Sequence, residues 1–328
     1  MTLTGRALIT GITGQDGAYL SELLLKKGYE VIGLVRGYIS ANTRGLEFLD
    51  IDKQVRLLEC DLTDLSQVIG IIQETRPSEI YNLAAQSSVF LSFKQPIGTI
   101  SFNILSVLNL LEAVRLIAPE TRFYQASSSE IFGSASHLPI SESSPIAPIN
   151  PYSISKASAY WITKNYREAY GLYSCSGFLF NHESFLRSEN FFVKKLIRQA
   201  WMIKNGDLDI MEIGNLEVKR DFGWAPKYVE AMHLILQQNA PDDFVICSGE
   251  SVSLRSIAEF VFEYFDIPIS RLVVKPSLFR PTEINDIYGD NSKARRELGW
   301  EYDLSFFEVL KTLMTEEAAY QESVRQAH

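Results

Sequence analysis

Residues 6–35 of the chain read RALITGITGQDGAYLSELLLKKGYEVIGLV. The first five are an apolar run typical of a buried strand, residues 18–27 carry an apolar stripe of helical period, and residues 31–35 are a second apolar run. Between the first run and the helix lies a turn with glycine at positions 11, 14 and 17. In this context such a turn predicts a dinucleotide site, because glycines permit close backbone approach and the helix N-terminus offers free N–H groups to a pyrophosphate. The alternative is a glycine turn with a purely structural role.

The residue after the second strand indicates which nicotinamide dinucleotide binds. NAD sites place a carboxylate there for the ribose 2′-hydroxyl, whereas an arginine suits the 2′-phosphate of NADP. Here Val35 is followed by Arg36, with Arg44 nearby and no acidic residue before Glu47. We therefore expect NADP as the cofactor, the alternative being that Arg36 is only a solvated loop residue.

The rest of the first 180 residues continues the alternation. Strand-like and helix-like segments take turns, beginning with a strand, at residues 55–60, 65–75, 79–85, 98–116, 121–127, 152–170 and 173–180. Repeats of this length predict an α/β fold, a Rossmann-type doubly wound parallel sheet that binds ligands beyond the carboxyl ends of its strands. After residue 180 the pattern becomes an irregular polar segment and then shorter elements, which we interpret as a smaller, partly interleaved C-terminal substrate domain. The charged tail after about Glu316 is expected to fray.

Two stretches carry reactive side chains, one at the carboxyl end of the fifth strand and one on the helix that follows it. Tyr152 and Lys156 are four residues apart on a predicted helix, so they share a face. The ammonium is expected to lower the phenol pKa, which would let Tyr152 act as a base toward a sugar hydroxyl. The strand itself ends in serines, including Ser128, followed by Glu130. A carboxylate beside a redox centre adds a second proton-transfer group that a simple alcohol dehydrogenase does not need; the alternative is a helix-end charge.

Composition restricts the partners. A hydrophobic content of 46% and a charged content of 22% are ordinary for a globular protein, and a formal net charge of −9 argues against a general nucleic-acid binder. The three cysteines are far apart without metal-ligand spacing, so we expect no metal and buried free thiols in a reducing cytoplasm. No apolar run is expected to approach membrane-spanning length, and no membrane partner is expected.

With these residues assembled, the chain resembles the extended short-chain dehydrogenase/reductase family, and within it the GDP-mannose 4,6-dehydratases. The resemblance covers nearly the whole chain. The glycine turn and the Tyr–Lys pair are shared across the superfamily, whereas Asn181-His-Glu-Ser184 and Arg280-Pro-Thr-Glu283 are more specific. Further matching stretches are residues 81–87, 123–127, 160–163, 219–221 and 228–232.

The resemblance implies three sets of site residues. The implied catalytic residues are Ser128, in place of the family's threonine, Glu130, Tyr152 and Lys156. The implied cofactor contacts are Gly11, Ile12, Thr13, Gly14, Gln15, Asp16, Gly17, Arg36, Asp61, Leu62, Leu83, Ala84, Ala85, Gln86, Ser87, Tyr152, Lys156, His182 and Arg187. The implied nucleotide-sugar contacts are Ser87, Ser128, Glu130, Asn181, Lys195, Arg220, Arg280 and Glu283.

The same resemblance implies a reaction and an organisation. The reaction is NADP-dependent conversion of GDP-mannose to GDP-4-keto-6-deoxymannose, by C4 oxidation, water elimination across C5 and C6, and reduction at C6. Residues 1–180, with a returning segment near 217–250, would form the NADP-binding domain, and residues 181–216 and 251–328 would bind the nucleotide sugar. A homodimer would form through the helices near 98–116 and 152–170, and a homotetramer would also use the loop after the second strand, where Gly37 lies.

Departures from the family pattern leave alternatives open. Gly37 replaces a second arginine, Gly98 replaces a tyrosine of some relatives, and Phe185-Leu-Arg-Ser188 keeps one of two usual arginines. A pocket edge with such changes could take a related substrate such as a GDP-heptose. A same-fold sugar-nucleotide epimerase, 4-ketoreductase or decarboxylase would share most of these features. A non-catalytic NADP-binding regulator would need neither the Tyr–Lys pair nor Glu130.

Overall fold

The computed structural model describes residues 4–326 of the chain. Its strands are β1 (Arg6–Thr10), β2 (Glu30–Val35), β3 (Arg56–Glu59), β4 (Glu79–Asn82), β5 (Arg122–Ser128), β6 (Ser174–Leu179), β7 (Asn181–Glu183), β8 (Met211–Ile213), β9 (Lys219–Trp224), β10 (Phe244–Ile246), β11 (Ser251–Ser253) and β12 (Leu272–Val274). Its α-helices are α1 (Gln15–Lys26), α2 (Arg44–Phe48), α3 (Leu65–Thr75), α4 (Val89–Lys94), α5 (Pro96–Ile117), α6 (Pro151–Tyr170), α7 (Phe192–Lys204), α8 (Ala225–Leu236), α9 (Leu254–Tyr264) and α10 (Phe306–Gln326).

Seven parallel strands form one sheet in the order β10-β6-β5-β4-β1-β2-β3. The strand order reverses its direction of winding between β1 and β4, which is where ligands bind in open sheets of this kind. Parallel neighbours require crossover connections, and helices provide them here. This topology confirms the predicted Rossmann-type α/β fold.

Both faces of the sheet are covered, because successive strand residues point to opposite sides. In β1, Leu8 joins an apolar core with α3, α5 and α6, whereas Ile9 joins a core with α1 and α8. A strand buried on both faces reads as a continuous apolar run, which explains why these strands were readable from the sequence.

A further apolar core lies among α7, α9 and α10, with Leu196, Ile257 and Leu310 fully buried. Beside it are a three-stranded sheet, β11-β9-β7, and a two-stranded sheet, β12-β8. The chain returns from this part to the large sheet through α8 and β10, while β9 stays in the small sheet. The predicted domain boundaries remain a prediction.

Two sequence-based expectations about the second half are wrong. The segment expected to be irregular after residue 180 begins with strand β7, which pairs with β9. The tail expected to fray continues α10 as far as Gln326. In that helix Glu317 is buried and its carboxylate accepts a 2.5 Å bond from Lys194, which fixes the helix to α7.

Helix α5 is long and apolar enough to cross a membrane by length and composition, with a mean hydropathy of 1.6. The expectation that no apolar run reaches that length is therefore wrong. In the fold this helix packs between α3 and α6 and buries residues such as Val107, Leu110 and Val114 against the sheet. The core helix of a soluble protein meets the same criteria.

Candidate active site

The glycine turn between β1 and α1 leaves no room for side chains. Gly11 has a φ of +69°, and a Cβ atom there would lie 2.8 Å from the backbone nitrogen of Ala84. A Cβ atom at Gly17 would lie 2.5 Å from the Gly11 carbonyl oxygen. Helix α1 begins at Gln15 with no side chain capping its first N–H groups, which are therefore available to a phosphate. The turn fits the pyrophosphate of a dinucleotide.

Asp16 and His182 join this turn to the segment after β6. Both carboxylate oxygens of Asp16 lie 3.0 Å from Nε2 of His182, and Nδ1 of the ring lies 2.7 Å from the Phe180 carbonyl oxygen. Both ring nitrogens therefore face oxygen atoms of the protein. Burial alone would raise the pKa of Asp16, but the charge and hydrogen bond of His182 lower it to about 2. Gln15 adds a bond from its amide to the His182 carbonyl oxygen at 3.1 Å.

The loop after β4 is held along the cleft by two polar side chains. Thr10 Oγ1 accepts 3.1 Å bonds from the backbone N–H groups of Leu83 and Ala84. Asn103 accepts from the backbone nitrogen of Gln86 at 2.8 Å and donates to its carbonyl oxygen at 3.1 Å. These contacts fix the path of the predicted cofactor loop.

Arg36, at the end of β2, lies over an aromatic ring. Its guanidinium carbon is 4.8 Å from the centroid of Phe102, a cation–π distance. Both side chains line the same cleft as the glycine turn. The stacking keeps the cation at the strand end, where the two pyridine nucleotides differ chemically.

The four predicted catalytic residues, Ser128, Glu130, Tyr152 and Lys156, line one cleft. Lys156 Nζ donates a 2.7 Å bond to the Ala126 carbonyl oxygen and lies 6.0 Å from the Tyr152 ring centroid. Burial lowers the pKa of Lys156 to about 8 and raises the pKa of Tyr152 to about 12. The expected lowering of the Tyr152 pKa is therefore not found, because desolvation of the phenol outweighs its hydrogen bond with Ser128.

Glu130 is held at the base of this cleft by the start of the next helix. It lies on the 3₁₀ turn Ser129–Phe132 that directly follows β5. Its Oε2 accepts a 3.0 Å bond from the Asn150 side-chain amide, and its backbone nitrogen donates to Ser128 Oγ at 3.3 Å. The carboxylate is thus placed beside Tyr152, two residues beyond Asn150.

Arg220, Arg280 and Glu283 form a connected group in the same cleft. Glu283 Oε1 accepts from Arg220 at 2.8 Å and from Arg280 at 3.4 Å. Arg220 also donates a 2.6 Å bond to the Ile284 carbonyl oxygen. Glu283 binds both guanidinium groups and Glu130 also faces Arg220, but the remaining guanidinium N–H donors can bind an anionic group such as a diphosphate.

The cleft has a volume of about 1510 Å³ and brings together nearly all of the predicted site residues. Among those not discussed above, it is also lined by Thr13, Leu62, Ala85, Ser87, Asn181, Arg187 and Lys195. Ile12 and Asp61 do not line it. The Ile12 side chain is buried against Gly33, and the Asp61 carboxylate accepts bonds from Thr63. Within residues 4–326 no group of three His, Cys, Asp or Glu residues could hold a metal ion.

The family model described as GDP-mannose 4,6 dehydratase matches residues 8–313. The chain belongs to the GDP-mannose 4,6-dehydratase family. It is 42% identical to the GDP-mannose 4,6 dehydratase of Drosophila melanogaster, over 94% of this chain and 85% of that protein. It is 41% identical to the GDP-mannose 4,6-dehydratase of Sinorhizobium fredii (strain HH103), over 98% of each.

A solved structure confirms the architecture of this family member. DesIV, a dTDP-glucose 4,6-dehydratase from Streptomyces venezuelae with NAD and TYD bound, is similar with a TM-score of 0.85, over 94% of this chain and 96% of that one. At 22% sequence identity the similarity shows the fold alone. Together with the glycine turn, that fold supports a nicotinamide dinucleotide as the cofactor.

Sequence reasoning missed two asparagines in this family site. Asn150-Pro151 directly precedes Tyr152 and is a helix-start signal that could have been recognised as a cap. That signal would not have predicted the contact between Asn150 and Glu130, which joins two segments of the chain. Asn103 lies inside an otherwise apolar helix, and no local pattern marks its contact with the loop after β4.

Lys156→Met tests the cost of burying the ammonium. Folding lowers the pKa of Lys156 from 10.5 to about 8, so the stability linked to this group is present above pH 10.5 and is lost as the pH falls through 8. Methionine keeps an unbranched stem without the charge. We expect the free energy of unfolding of the unliganded variant, minus that of the parent, to decrease as the pH rises from 8 to 10.5. Urea denaturation at several pH values measures this difference.

The exposed Lys53 provides the control. Lys53→Met should differ from the parent by an amount that does not change over the same pH range. A constant difference for Lys156→Met as well would show that Lys156 carries no burial penalty. The bond lost to Ala126 adds an offset at every pH and does not affect this comparison.

Proposed function

We propose that this chain is an NADP-dependent GDP-mannose 4,6-dehydratase, a hydro-lyase that forms GDP-4-keto-6-deoxymannose. The observation that supports it most strongly is the presence of Glu130 in one cleft with the Tyr152–Lys156 pair. An alcohol dehydrogenase needs only the Tyr152–Lys156 pair, whereas elimination of water also needs a base that takes the proton from C5. The Arg220–Arg280–Glu283 group supports a diphosphate-linked sugar as the substrate.

The first step needs a base for the C4 hydroxyl, and Tyr152 is the group of suitable type. With a pKa of about 12, the phenol needs added positive charge before it can act near neutral pH. Lys156, one helical turn away, can supply part of that charge, because an amine with a pKa of about 8 is largely protonated at pH 7. When bound, the nicotinamide supplies the redox chemistry, oxidising C4 and later reducing C6 without net consumption.

Elimination follows from the new ketone. A carbonyl at C4 acidifies the C5–H bond, and Glu130 is the carboxylate positioned to take that proton. The C6 hydroxyl then leaves as water, taking a proton, and the C5–C6 double bond that forms is saturated by a hydride at C6 and a proton at C5. A closed cleft keeps solvent from the intermediate.

NADP, as opposed to NAD, is supported by the end of β2. Arg36 lies at the position where NAD sites usually carry an acid, and stacking on Phe102 holds it at the cleft. A cytoplasmic location is supported by three buried free thiols, Cys60, Cys175 and Cys247.

A homodimer is supported by the outward surface of two packed helices. Helix α5 exposes Leu105 and Leu116, and α6 exposes Ile154 and Trp161, although these are large apolar side chains. Such residues on adjacent helices are suited to a two-fold interface. The chain offers no separate argument for a tetramer.

Glu130→Gln should separate oxidation from elimination. The amide is nearly isosteric and leaves Tyr152 and Lys156 in place, so reduced cofactor should still form from GDP-mannose. Loss of water, measured by mass spectrometry, should fall by roughly 10²-fold or more, because the variant lacks the C5 base. In deuterated water the parent should incorporate deuterium at C5, and the variant should not.

Glu142→Gln is a matched control, since Glu142 is a partly buried carboxyl that binds the Val245 backbone outside the cleft. It should dehydrate at the parental rate. If Glu130→Gln dehydrates GDP-mannose at the parental rate, Glu130 is only a helix-end charge and the mechanism loses its main support.

Arg36→Asp tests the cofactor. The parent should bind NADP⁺ at least tenfold more tightly than NAD⁺, a difference of about 1.4 kcal/mol. The substitution removes the cation and adds a carboxylate, so it should narrow or reverse that ratio in fluorescence titrations. Arg44→Asp, an exposed arginine in the same segment, should leave the ratio unchanged. Equal affinity of the parent for both nucleotides would contradict the NADP assignment.

Trp161→Glu tests the dimer. A charge on the exposed face of α6 should shift the protein toward monomer in light scattering at micromolar concentration. Tyr264→Glu, at an equally exposed aromatic residue on α9, should leave the mass unchanged. A monomeric parent would refute the proposed assembly.

A further inference from the structure

Asn150 contacts two functional parts of the site at once. Its side-chain Nδ2 donates to Oε2 of Glu130 at 3.0 Å. Its Oδ1 accepts from the backbone nitrogen of Ser153 at 2.8 Å, which makes it the N-cap of the helix that carries Tyr152 and Lys156. One amide therefore connects the start of the catalytic helix to the carboxylate after β5.

The orientation of this amide is determined by the cap. A backbone N–H can bond only to an acceptor, so the Ser153 contact assigns the oxygen of Asn150 to that side and directs Nδ2 at Glu130. A flipped amide would lose the helix cap and place an oxygen against a carboxylate. The Nδ2 donor of Asn150 therefore faces the Glu130 carboxylate.

The surroundings of Asn150 allow little movement. The residue is 4% exposed, and its backbone nitrogen donates to Ser153 Oγ at 3.0 Å. Just before it, Ala147 donates its backbone N–H to the Ile131 carbonyl oxygen at 2.9 Å, on the same 3₁₀ turn as Glu130. The two segments are therefore fixed to each other by backbone as well as by side chain.

We propose that Asn150 is a positioning residue for the C5 base. Its donor directs the carboxylate of Glu130, and the cap sets the distance between that carboxylate and Tyr152. The inference rests on the proposed dehydratase function, because it assigns Glu130 its proton-transfer role.

The charged and titratable groups that face Glu130 come from two other elements. Arg220 on β9, itself paired with Glu283, supplies positive charge, and Tyr152 on α6 supplies a phenol. Asn150 differs from Arg220 in being an uncharged donor. Its replacement therefore changes the direction and hydrogen bonding of Glu130 without removing a cation. Asn150→Asp has the larger effect, because two adjacent carboxyl groups cannot both ionise freely.

Two variants separate this role from helix capping. Asn150→Ser and Asn150→Asp both retain a good N-cap side chain, but neither keeps the amide donor. We expect single-turnover loss of water at pH 7 to fall about tenfold in the Ser variant and more in the Asp variant. Formation of reduced cofactor should change less. The acid limb of the pH profile should move up by at least one pH unit in the Asp variant.

Ser153→Ala is the matched control. It removes the other half of the capping box and should lower the melting temperature, while the amide–carboxylate contact and the pH profile stay as in the parent. The ionisation of Glu130 can also be followed without turnover, by infrared spectroscopy of ¹³C-labelled protein. The carboxylate band of Glu130 is identified by subtracting the spectrum of Glu130→Gln. Its pH midpoint should shift upward in Asn150→Asp.

The outcomes distinguish the two proposals. If the parent dehydrates no GDP-sugar, the proposed function fails, and the infrared midpoint still decides whether Asn150 acts on Glu130. If the Asn150 variants share the infrared midpoint and the acid limb of Ser153→Ala, Asn150 is only a helix cap and the inference is overturned.

Discussion

The contact between Asp16 and His182 determines how the rest of the site is assembled. It joins the first turn of α1 to a segment 166 residues further along the chain. An acidic side chain in a first helical turn suits the helix dipole, but a free carboxylate there would repel a pyrophosphate. Both oxygens of Asp16 instead face Nε2 of His182, which leaves the backbone N–H groups of the turn for the ligand. The same contact holds the segment that carries Asn181 and Arg187 beside the cofactor turn.

A chain with a formal net charge of −9 must bind anionic ligands through local groups. The glycine turn does so without side chains, through helix N–H groups. The arginine pair does so with guanidinium groups that share a single carboxylate, Glu283. Glu283 keeps the two guanidinium groups together before any phosphate arrives, so less ordering is needed on binding. The negative charge of the remaining surface does not prevent this, because the charges of the buried Arg220 and the partly buried Arg280 are weakly screened.

The sequence was most informative where the physical signal is local. Helix α3 lies at the predicted residues 65–75, because its apolar period is a local signal, and the structure adds a cap at Asp64. Helix α4 was missed, since six residues are too few to show a period. The family resemblance brought together residues that the structure places in one cleft. It could not show that Asn150 contacts Glu130, or that burial dominates the pKa of Tyr152, since both depend on packing between distant segments.

Burial gives Tyr152 and Lys156 a property that neither residue has in water. The same desolvation raises the pKa of Tyr152 to about 12 and lowers that of Lys156 to about 8, so each is pushed toward its neutral form. Deprotonation of Tyr152 is therefore costly unless further positive charge is close. In the proposed reaction, oxidation of C4 becomes favourable only when that charge is present in the cleft. Because C5 is acidified only by the C4 ketone, the chemistry at Glu130 depends in turn on this step. Elimination therefore follows oxidation because of the ketone, and burial of Tyr152 makes the oxidation that precedes it depend on added charge.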